Sequence, residues 1–277
     1  MKIALCLGSF DGIHKGHRKV LCVPNDYYKI ALTFKAPPKS VLNNENSLIM
    51  TLEDKCQALK EIGIDKVEVL DFLKIKDMPY DEFLDFLKRE YNPSLISCGF
   101  NYRFGKAGKG STDNLKEFCK ANNIVFNCVD AVNENAVTVS STLIRNYLLG
   151  GEIKKANSLL LKPFSFTSQV IEGDKRGRTI GFPTVNQKYP NELVKLKFGV
   201  YKTKVLIDGE TYYGITNIGK RPTYETNYVI SETYIKNFSG DLYSKYLTII
   251  PQEFLREEKK FSSVYELQEQ IKADLKI

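Results

Sequence analysis

The spacing of apolar residues changes once along the chain, near Lys162, and that change limits the fold more than any other feature. Before it, short apolar runs alternate with stretches of helical spacing. After it, short runs rich in Val, Ile, Thr, Tyr and Phe follow one another with turn residues between them. Alternating β and α segments build a parallel sheet covered on both faces, whereas closely spaced strands close into a small barrel. The sequence therefore predicts an α/β fold class: an N-terminal doubly wound, Rossmann-like parallel sheet over 1–160, then a small β-barrel with a C-terminal helix over 161–277. The boundary falls near Asn157–Pro163.

In the first part, strands are expected at Lys2–Leu7, Tyr28–Phe34, Val67–Leu70, Leu95–Cys98 and Ile124–Val129. Helices are expected at Thr51–Gly63, Tyr80–Glu90, Asn114–Ala121 and Ser141–Leu149. Thr51 suits an N-cap, and Leu52, Cys56, Leu59 and Lys60 fall near one face of its helix. Between His17 and Thr33 there is too little chain for a full helix plus loop, and Pro24 would break one. In the second part, strands are expected at Ser165–Ile171, Gly199–Ile207, Thr211–Ile218, Tyr228–Tyr234 and Tyr246–Ile250, with Asp208-Gly209 as a hairpin turn. Ser263–Leu275 has helical spacing, with Leu267, Ile271 and Leu275 four apart.

Several function classes are excluded early. No run approaches the ~18 apolar residues of a spanning helix, so no membrane partner is expected. The six cysteines form no C-x-x-C pair, which reads as small core residues kept reduced in a cytoplasmic protein. Structural zinc needs closely spaced ligand pairs that are absent. The net charge of +7 is spread through both halves. A nucleic-acid binder concentrates such charge in a stripe or tail, so anionic small molecules fit better. A barrel that holds RNA is the competing reading from another class, and it has no such stripe. Nothing in the sequence sets the oligomeric state.

The first strand runs directly into Gly8-Ser9-Phe10-Asp11-Gly12-Ile13-His14-Lys15-Gly16-His17, and these two histidines are the only ones in the chain. Glycines at a strand-to-helix turn let backbone N–H groups approach phosphates. His14 and His17 can donate to phosphate oxygens, best when at least partly protonated. Preorganised donors of that kind suit a nucleotidyl transfer, where charge builds on the α-phosphate and the departing pyrophosphate. As metal ligands the pair would lack a third partner nearby. Two more stretches stand out in this half: Gly99-Phe100-Asn101-Tyr102-Arg103-Phe104-Gly105 after the fourth strand, and Val139-Ser140-Ser141-Thr142-Leu143-Ile144-Arg145. Ser141 and Thr142 offer hydroxyls at a helix start, and Arg145 adds a permanent cation.

The second half carries Gly173-Asp174-Lys175-Arg176-Gly177-Arg178-Thr179-Ile180-Gly181-Phe182-Pro183-Thr184-Val185-Asn186, a Gly-rich basic loop without the Lys-Ser ending of a P-loop. Gly214-Ile215-Thr216-Asn217-Ile218-Gly219-Lys220-Arg221-Pro222-Thr223 and Glu232 follow, then Arg256 ahead of the last helix. With both histidines in the first turn, a general base in this half has to be a carboxylate.

Together these stretches resemble the bacterial bifunctional riboflavin kinase/FMN adenylyltransferase (FAD synthetase) family, along nearly the whole chain and in the family's order. Gly-x-Phe-Asp-Gly-x-His-x-Gly-His is the long form of the His-x-Gly-His nucleotidyltransferase signature. The resemblance implies ATP-dependent phosphorylation of riboflavin to FMN by the C-terminal barrel, and adenylylation of FMN to FAD with release of pyrophosphate by the N-terminal domain. It implies catalytic roles for Glu232, His14, His17 and Arg145. ATP and phosphate contacts would come from Gly8, Ser9, Phe10, Asp11, Gly16, Ser141, Thr142, Gly173, Lys175, Arg178, Gly181 and Pro183. Flavin contacts would come from Asn101, Arg103, Arg221 and Arg256. Thr184 and Asn186 would hold Mg²⁺, the implied cofactor; riboflavin, FMN and ATP are the implied partners. The chain departs from the family at the short His17–Thr33 segment, at Phe34-Lys35-Ala36-Pro37-Pro38, where a histidine is common, and at Ser168. The alternative expectation is a riboflavin kinase with a weak or inactive adenylyltransferase domain.

Overall fold

Ile3–Leu7 (β1) is buried along nearly its whole length, as a strand at the centre of a two-sided sheet must be. A computed structural model describes residues 1–276 except 44, 46, 135, 174–176, 178–179 and 223–226, with the backbone alone at 221, 222 and 227. The chain divides into two compact units, Met1–Leu143 with Leu159–Leu161, and Ile144–Ser158 with Lys162–Ile277.

In the first unit, β1 is followed by Lys15–Leu21 (α1), Tyr28–Phe34 (β2), Pro38–Leu42 (α2), Leu52–Glu61 (α3) and Lys66–Leu70 (β3). Next come Phe72–Ile75 (α4), Tyr80–Tyr91 (α5), Leu95–Gly99 (β4), Thr112–Ala121 (α6) and Val125–Val129 (β5). A small hairpin, Asn133–Glu134 (β6) with Val137–Thr138 (β7), precedes Ser141–Leu149 (α7). The five-stranded sheet has the order β3-β2-β1-β4-β5, with every pairing parallel. Alternate residues of β1 feed two cores. Ala4 and Cys6 pack with Phe10, Val20 and Leu59 on one face; Leu5 and Leu7 pack with Ile96, Leu87 and Leu115 on the other.

The expected strands and helices of this unit are present, with differences that have local causes. A helix does form around His17, but it starts at Lys15, has only seven residues and ends at Leu21, ahead of Pro24. Helix α6 starts two residues before Asn114 because Ser111 and Asn114 form a capping box. Thr51 caps α3 as expected, its hydroxyl accepting the N–H of Asp54. The inward face of that helix is Lys55, Ala58 and Leu59, while Lys60 is exposed, which corrects the expected face. All six cysteines are free; Cys6, Cys98 and Cys119 are buried, but Cys22 and Cys128 are exposed.

The second unit holds Ile153–Leu159 (α8) up to Ser158, then the strands Phe166–Ile171 (β8), Thr184–Lys188 (β9), Gly199–Ile207 (β10), Glu210–Pro222 (β11), Asn227–Ile235 (β12) and Tyr246–Arg256 (β13), and Val264–Asp274 (α9). The strands close into a barrel of order β10-β11-β12-β9-β8-β13. The end of the Gly-rich stretch, expected as loop, is strand β9 and completes the closure. Asp208 and Gly209 turn with φ of +49° and +88° between Ile207 and Glu210, the left-handed pair a two-residue hairpin requires. Inside, the hydroxyls of Thr203, Thr216 and Thr233 form a ladder with 2.9 Å steps, and the Gln187 amide donates to the carbonyls of Ser168 and Leu247. The three hydroxyls and the Gln187 Nε2 are thus paired where they cannot reach water.

Candidate active sites

In the first unit, β2 and β3 lie to one side of β1 and β4 and β5 to the other, so the strand order reverses between β1 and β4. Ligands of such sheets bind beyond the carboxyl ends at that reversal. The loops leaving there carry two of the three sequence motifs of this half, in Gly8–His14 and Phe100–Gly110.

The first loop is built from its own hydrogen bonds. A Cβ on Gly8 would lie 2.8 Å from the Phe10 ring, so glycine is what lets Phe10, at φ +47°, fold back into the core. The Ser9 carbonyl accepts from the Thr33 hydroxyl at 2.9 Å and from the Lys55 ammonium at 3.1 Å. Asp11 is buried; its carboxylate accepts the N–H of Ile49 at 3.0 Å, and its carbonyl accepts the Ser141 hydroxyl at 2.8 Å. Asp11 and Ser141, expected at phosphates, are therefore engaged in holding the turn. Ser140 rather than Ser141 caps α7, accepting the N–H of Leu143 at 3.2 Å.

His14 is the N-cap of α1. Its Nδ1 accepts the N–H groups of Gly16 and His17 at 3.1 and 3.2 Å. That lone pair must stay unprotonated, and burial pushes the imidazole pKa down to about 4. The partly protonated form that would donate best is therefore disfavoured for His14: at neutral pH it is a neutral ring with Nε2–H left to donate. The His17 ring stacks on it with centroids 3.6 Å apart, and Phe10 meets His17 edge-on at 5.4 Å. Gly16 sits against the His14 ring, where a Cβ would be 3.1 Å away. In the loop after β4, Asn101 and Arg103 are exposed, and the intervening Tyr102 stacks on Phe104 at 5.9 Å. Thr142 is exposed at the start of α7. Arg145, on the same helix, is half-buried and groups with the second unit.

In the barrel, strand register brings three residues into one row. Asn217 on β11 stands opposite Glu232 on β12, which stands opposite Asn186 on β9. The next row, Ile218, Ser231 and Gln187, is buried inside. Alternation therefore turns Asn217, Glu232 and Asn186 to the outer face. They line a cavity of about 380 Å³ with Thr184, Arg256, Phe261, Leu267 and Ile271. Its size and its apolar wall with few polar groups are those of a small-molecule site. Thr184 is two residues from Asn186 on β9 and shares its face. A second cavity, of about 410 Å³, also reaches Thr184 and is lined by Pro183, Phe238 and Tyr243.

Two amide oxygens of this row, Asn186 Oδ1 and Asn217 Oδ1, are buried and have no hydrogen-bond partner among the described residues. Asn217 Nδ2 donates to Glu258 at 2.9 Å, which fixes its amide orientation. A Cβ on Gly173 would fall 2.2 Å from Asn186 Nδ2, so this glycine lets the chain close over the amide. Gly181 turns at φ +77°. Arg256 is clamped by Asp274, its Nε and Nη2 donating to Asp274 Oδ2 at 3.0 and 2.8 Å, and Gln270 donates to the same carboxylate at 2.8 Å. Lys175 and Arg178 lie outside the described residues, as does the side chain of Arg221.

Sequence reasoning did not assign Asn217, Asp274 or Lys55. Asp274 was findable: it is the acid that continues the stripe Leu267–Ile271 at helical spacing. That stripe is half-buried, because it faces the cavity rather than a core.

A riboflavin kinase family model matches residues 160–277, and an FAD synthetase model matches residues 1–143. The bifunctional riboflavin kinase/FMN adenylyltransferase of Listeria monocytogenes is 33% identical, with 98% of this chain and 89% of that protein covered. The Bacillus subtilis protein of the same description is 32% identical, with 99% and 90% covered. A crystal structure described as a macrolide-efflux protein from Streptococcus pneumoniae has a TM-score of 0.91 at 30% identity, covering 99% of this chain and 93% of that one. Among the described residues of this chain, no helix is long and apolar enough to cross a membrane. Two successive family models, and relatives aligned along both of them, lead to one conclusion: the chain belongs to the bifunctional riboflavin kinase/FMN adenylyltransferase family.

Proposed function

We propose that the barrel phosphorylates riboflavin to FMN with ATP, and that the N-terminal domain transfers AMP from ATP to FMN, yielding FAD and pyrophosphate. The observation that carries the reading is the Asn186–Glu232–Asn217 row at the edge of a ligand-sized cavity. Glu232 accepts the proton of the riboflavin 5′-hydroxyl as its oxygen attacks the γ-phosphorus of ATP and ADP leaves. Arg256, steadied by Asp274, faces the flavin with Phe261, Leu267 and Ile271; Arg221 is assigned to the flavin by the resemblance of its motif alone. Gly173, Lys175, Arg178, Gly181 and Pro183 serve the nucleotide, and Pro183 lines the second cavity with Thr184.

The residues suit Mg²⁺. Thr184 and Asn186 are neutral oxygen donors on one strand face, and the buried Asn186 Oδ1 has no partner among the described residues, a place a hard cation would fill. When bound, Mg²⁺ offsets the charge of the ATP phosphates.

In the N-terminal domain, Gly8, Ser9, Phe10, Asp11 and Gly16 form the cradle for the second ATP, with Ser141 and Thr142 beside it. His14 donates from Nε2, and His17 acts with it on the phosphates. Donors held in place before reaction lower the barrier to charge transfer without a covalent intermediate. Asn101 and Arg103 serve the flavin. The six free cysteines suit a reducing cytoplasm.

Incubation of the purified protein with riboflavin, ATP and Mg²⁺, followed by chromatography of the flavins, tests this. FMN and FAD together are expected. FMN alone selects the alternative of a weak or inactive adenylyltransferase, which the seven-residue α1 favours; neither product overturns the reading.

A further inference from the structure

Lys55 is 1% exposed, and lysine is almost never buried so fully without partners. From the first turn of α3 its ammonium donates to two main-chain carbonyls, Phe34 at 2.6 Å and Ser9 at 3.1 Å. Phe34 is the last residue of β2, and Ser9 follows the end of β1. Both carbonyls thus belong to the carboxyl ends of adjacent strands, the side on which the nucleotide turn is built. Burial lowers the Lys55 pKa, and the Asp11 carboxylate opposes that shift.

An apolar side chain of the same length would fill the space without burying a charge. It would leave the Phe34 carbonyl without this donor and the Ser9 carbonyl with only the Thr33 hydroxyl. Ser9 is followed by Phe10, the residue at φ +47° whose ring touches His17 edge-on. A fixed path of contacts therefore runs from the Lys55 ammonium through the Ser9 carbonyl and the Phe10 ring to the His17 imidazole.

We propose that Lys55 is a positioning residue for adenylyl transfer: from behind the turn, its ammonium locks the Ser9–Phe10 backbone and so sets the His17 ring against the phosphates. The inference rests on the reading of the N-terminal domain given above. Loss of positioning changes the reaction step rather than FMN binding, and it leaves the barrel untouched.

The test uses the full chain and follows both half-reactions, with FMN supplied directly for the second. Lys55→Met should lower kcat for FAD formation tenfold or more, leave KM for FMN within twofold, and leave riboflavin phosphorylation within twofold. Lys55→Arg, which keeps charge and donors, should recover FAD formation to within threefold of the unaltered protein. A Lys55→Met protein that is folded by circular dichroism and retains kcat within twofold overturns the proposal. So does a folded Lys55→Arg protein as slow as Lys55→Met. Where Lys55→Met does not fold, Lys55→Gln replaces it under the same criteria. If the unaltered protein makes no FAD, the reading of the domain fails and this inference falls with it; an active unaltered protein and an equally active Lys55→Met protein sink the inference alone.

Discussion

The two sites spend their polar groups in opposite ways. In the N-terminal turn, His14 Nδ1, the Asp11 carboxylate, the Ser9 carbonyl and the Ser141 hydroxyl are all engaged in holding the backbone. The ligand is left with what those bonds do not use, such as the Nε2–H of a neutral imidazole. In the barrel, Asn186 and Asn217 present buried amide oxygens with no partner among the described residues, on either side of Glu232. A buried acceptor left unmatched costs about 1–3 kcal/mol, which a ligand or cation recovers on binding. On the proposed reading, the first site commits most of these groups to its own backbone, and the second is completed by its substrate. Changes in the first should therefore act through the fold of the turn, and changes in the second through the ligand.

Removing the carboxylate at the centre of the barrel row is the sharpest way to break this contrast. Glu232→Gln keeps the shape of the row and takes away the base, so FMN formation should fall by about 10³-fold. Adenylylation of supplied FMN should stay within twofold. Loss of both half-reactions in a folded protein would mean that the sites are not divided one to each domain. His17→Ala is the mirror experiment. It removes the ring that stacks on His14 and meets Phe10, and FAD formation should fall by about 10²-fold while FMN formation continues. Separate assays with riboflavin and with FMN as substrate read both.

The third prediction concerns stability. His14 is held near pKa 4 in the folded chain against about 6.5 when unfolded. Between those values the unfolded chain binds a proton that the folded one does not, so stability rises with pH across this window and is lost as pH falls through it. The full difference amounts to roughly 3 kcal/mol. His14→Asn retains an N-cap acceptor and removes the titration. Urea unfolding followed by circular dichroism at pH 4.5 and pH 7 should show a smaller pH difference for the variant. An equal difference in both proteins would mean that His14 is not held neutral.

What could be read in the sequence follows the range of the interactions. The apolar run of β1, the Thr51 cap and the Asp208-Gly209 hairpin depend on neighbours in sequence, and each is found where its residues place it. The motifs that mark both sites are equally local. Strand β9 escaped because Gly181, Pro183 and the basic residues of its motif hide the alternation. The burial of Lys55 escaped because its partners are carbonyls, which no side chain announces. The neutral state of His14 escaped for the same reason, since burial is a property of the folded unit. Asn217 lay inside a recognised segment, but its place beside Glu232 depends on the register of two strands.

The smallest expected effect tests whether the barrel site also owns some fixed structure. Arg256 reaches the cavity while its guanidinium is held by the buried carboxylate of Asp274, with side-chain exposures of 21% and 4%. Asp274→Asn keeps the volume and one acceptor oxygen but ends the two-sided clamp on the arginine. If Arg256 serves the flavin only when it is held, KM for riboflavin should rise three- to tenfold with kcat within twofold, and adenylylation should not change. A rise in KM for ATP instead would place Arg256 with the nucleotide. No change in either would mean that the pair merely fastens α9 to β13, and the barrel would then be a site finished wholly by its ligands. Steady-state kinetics of FMN formation, with each substrate varied in turn, decides among these outcomes.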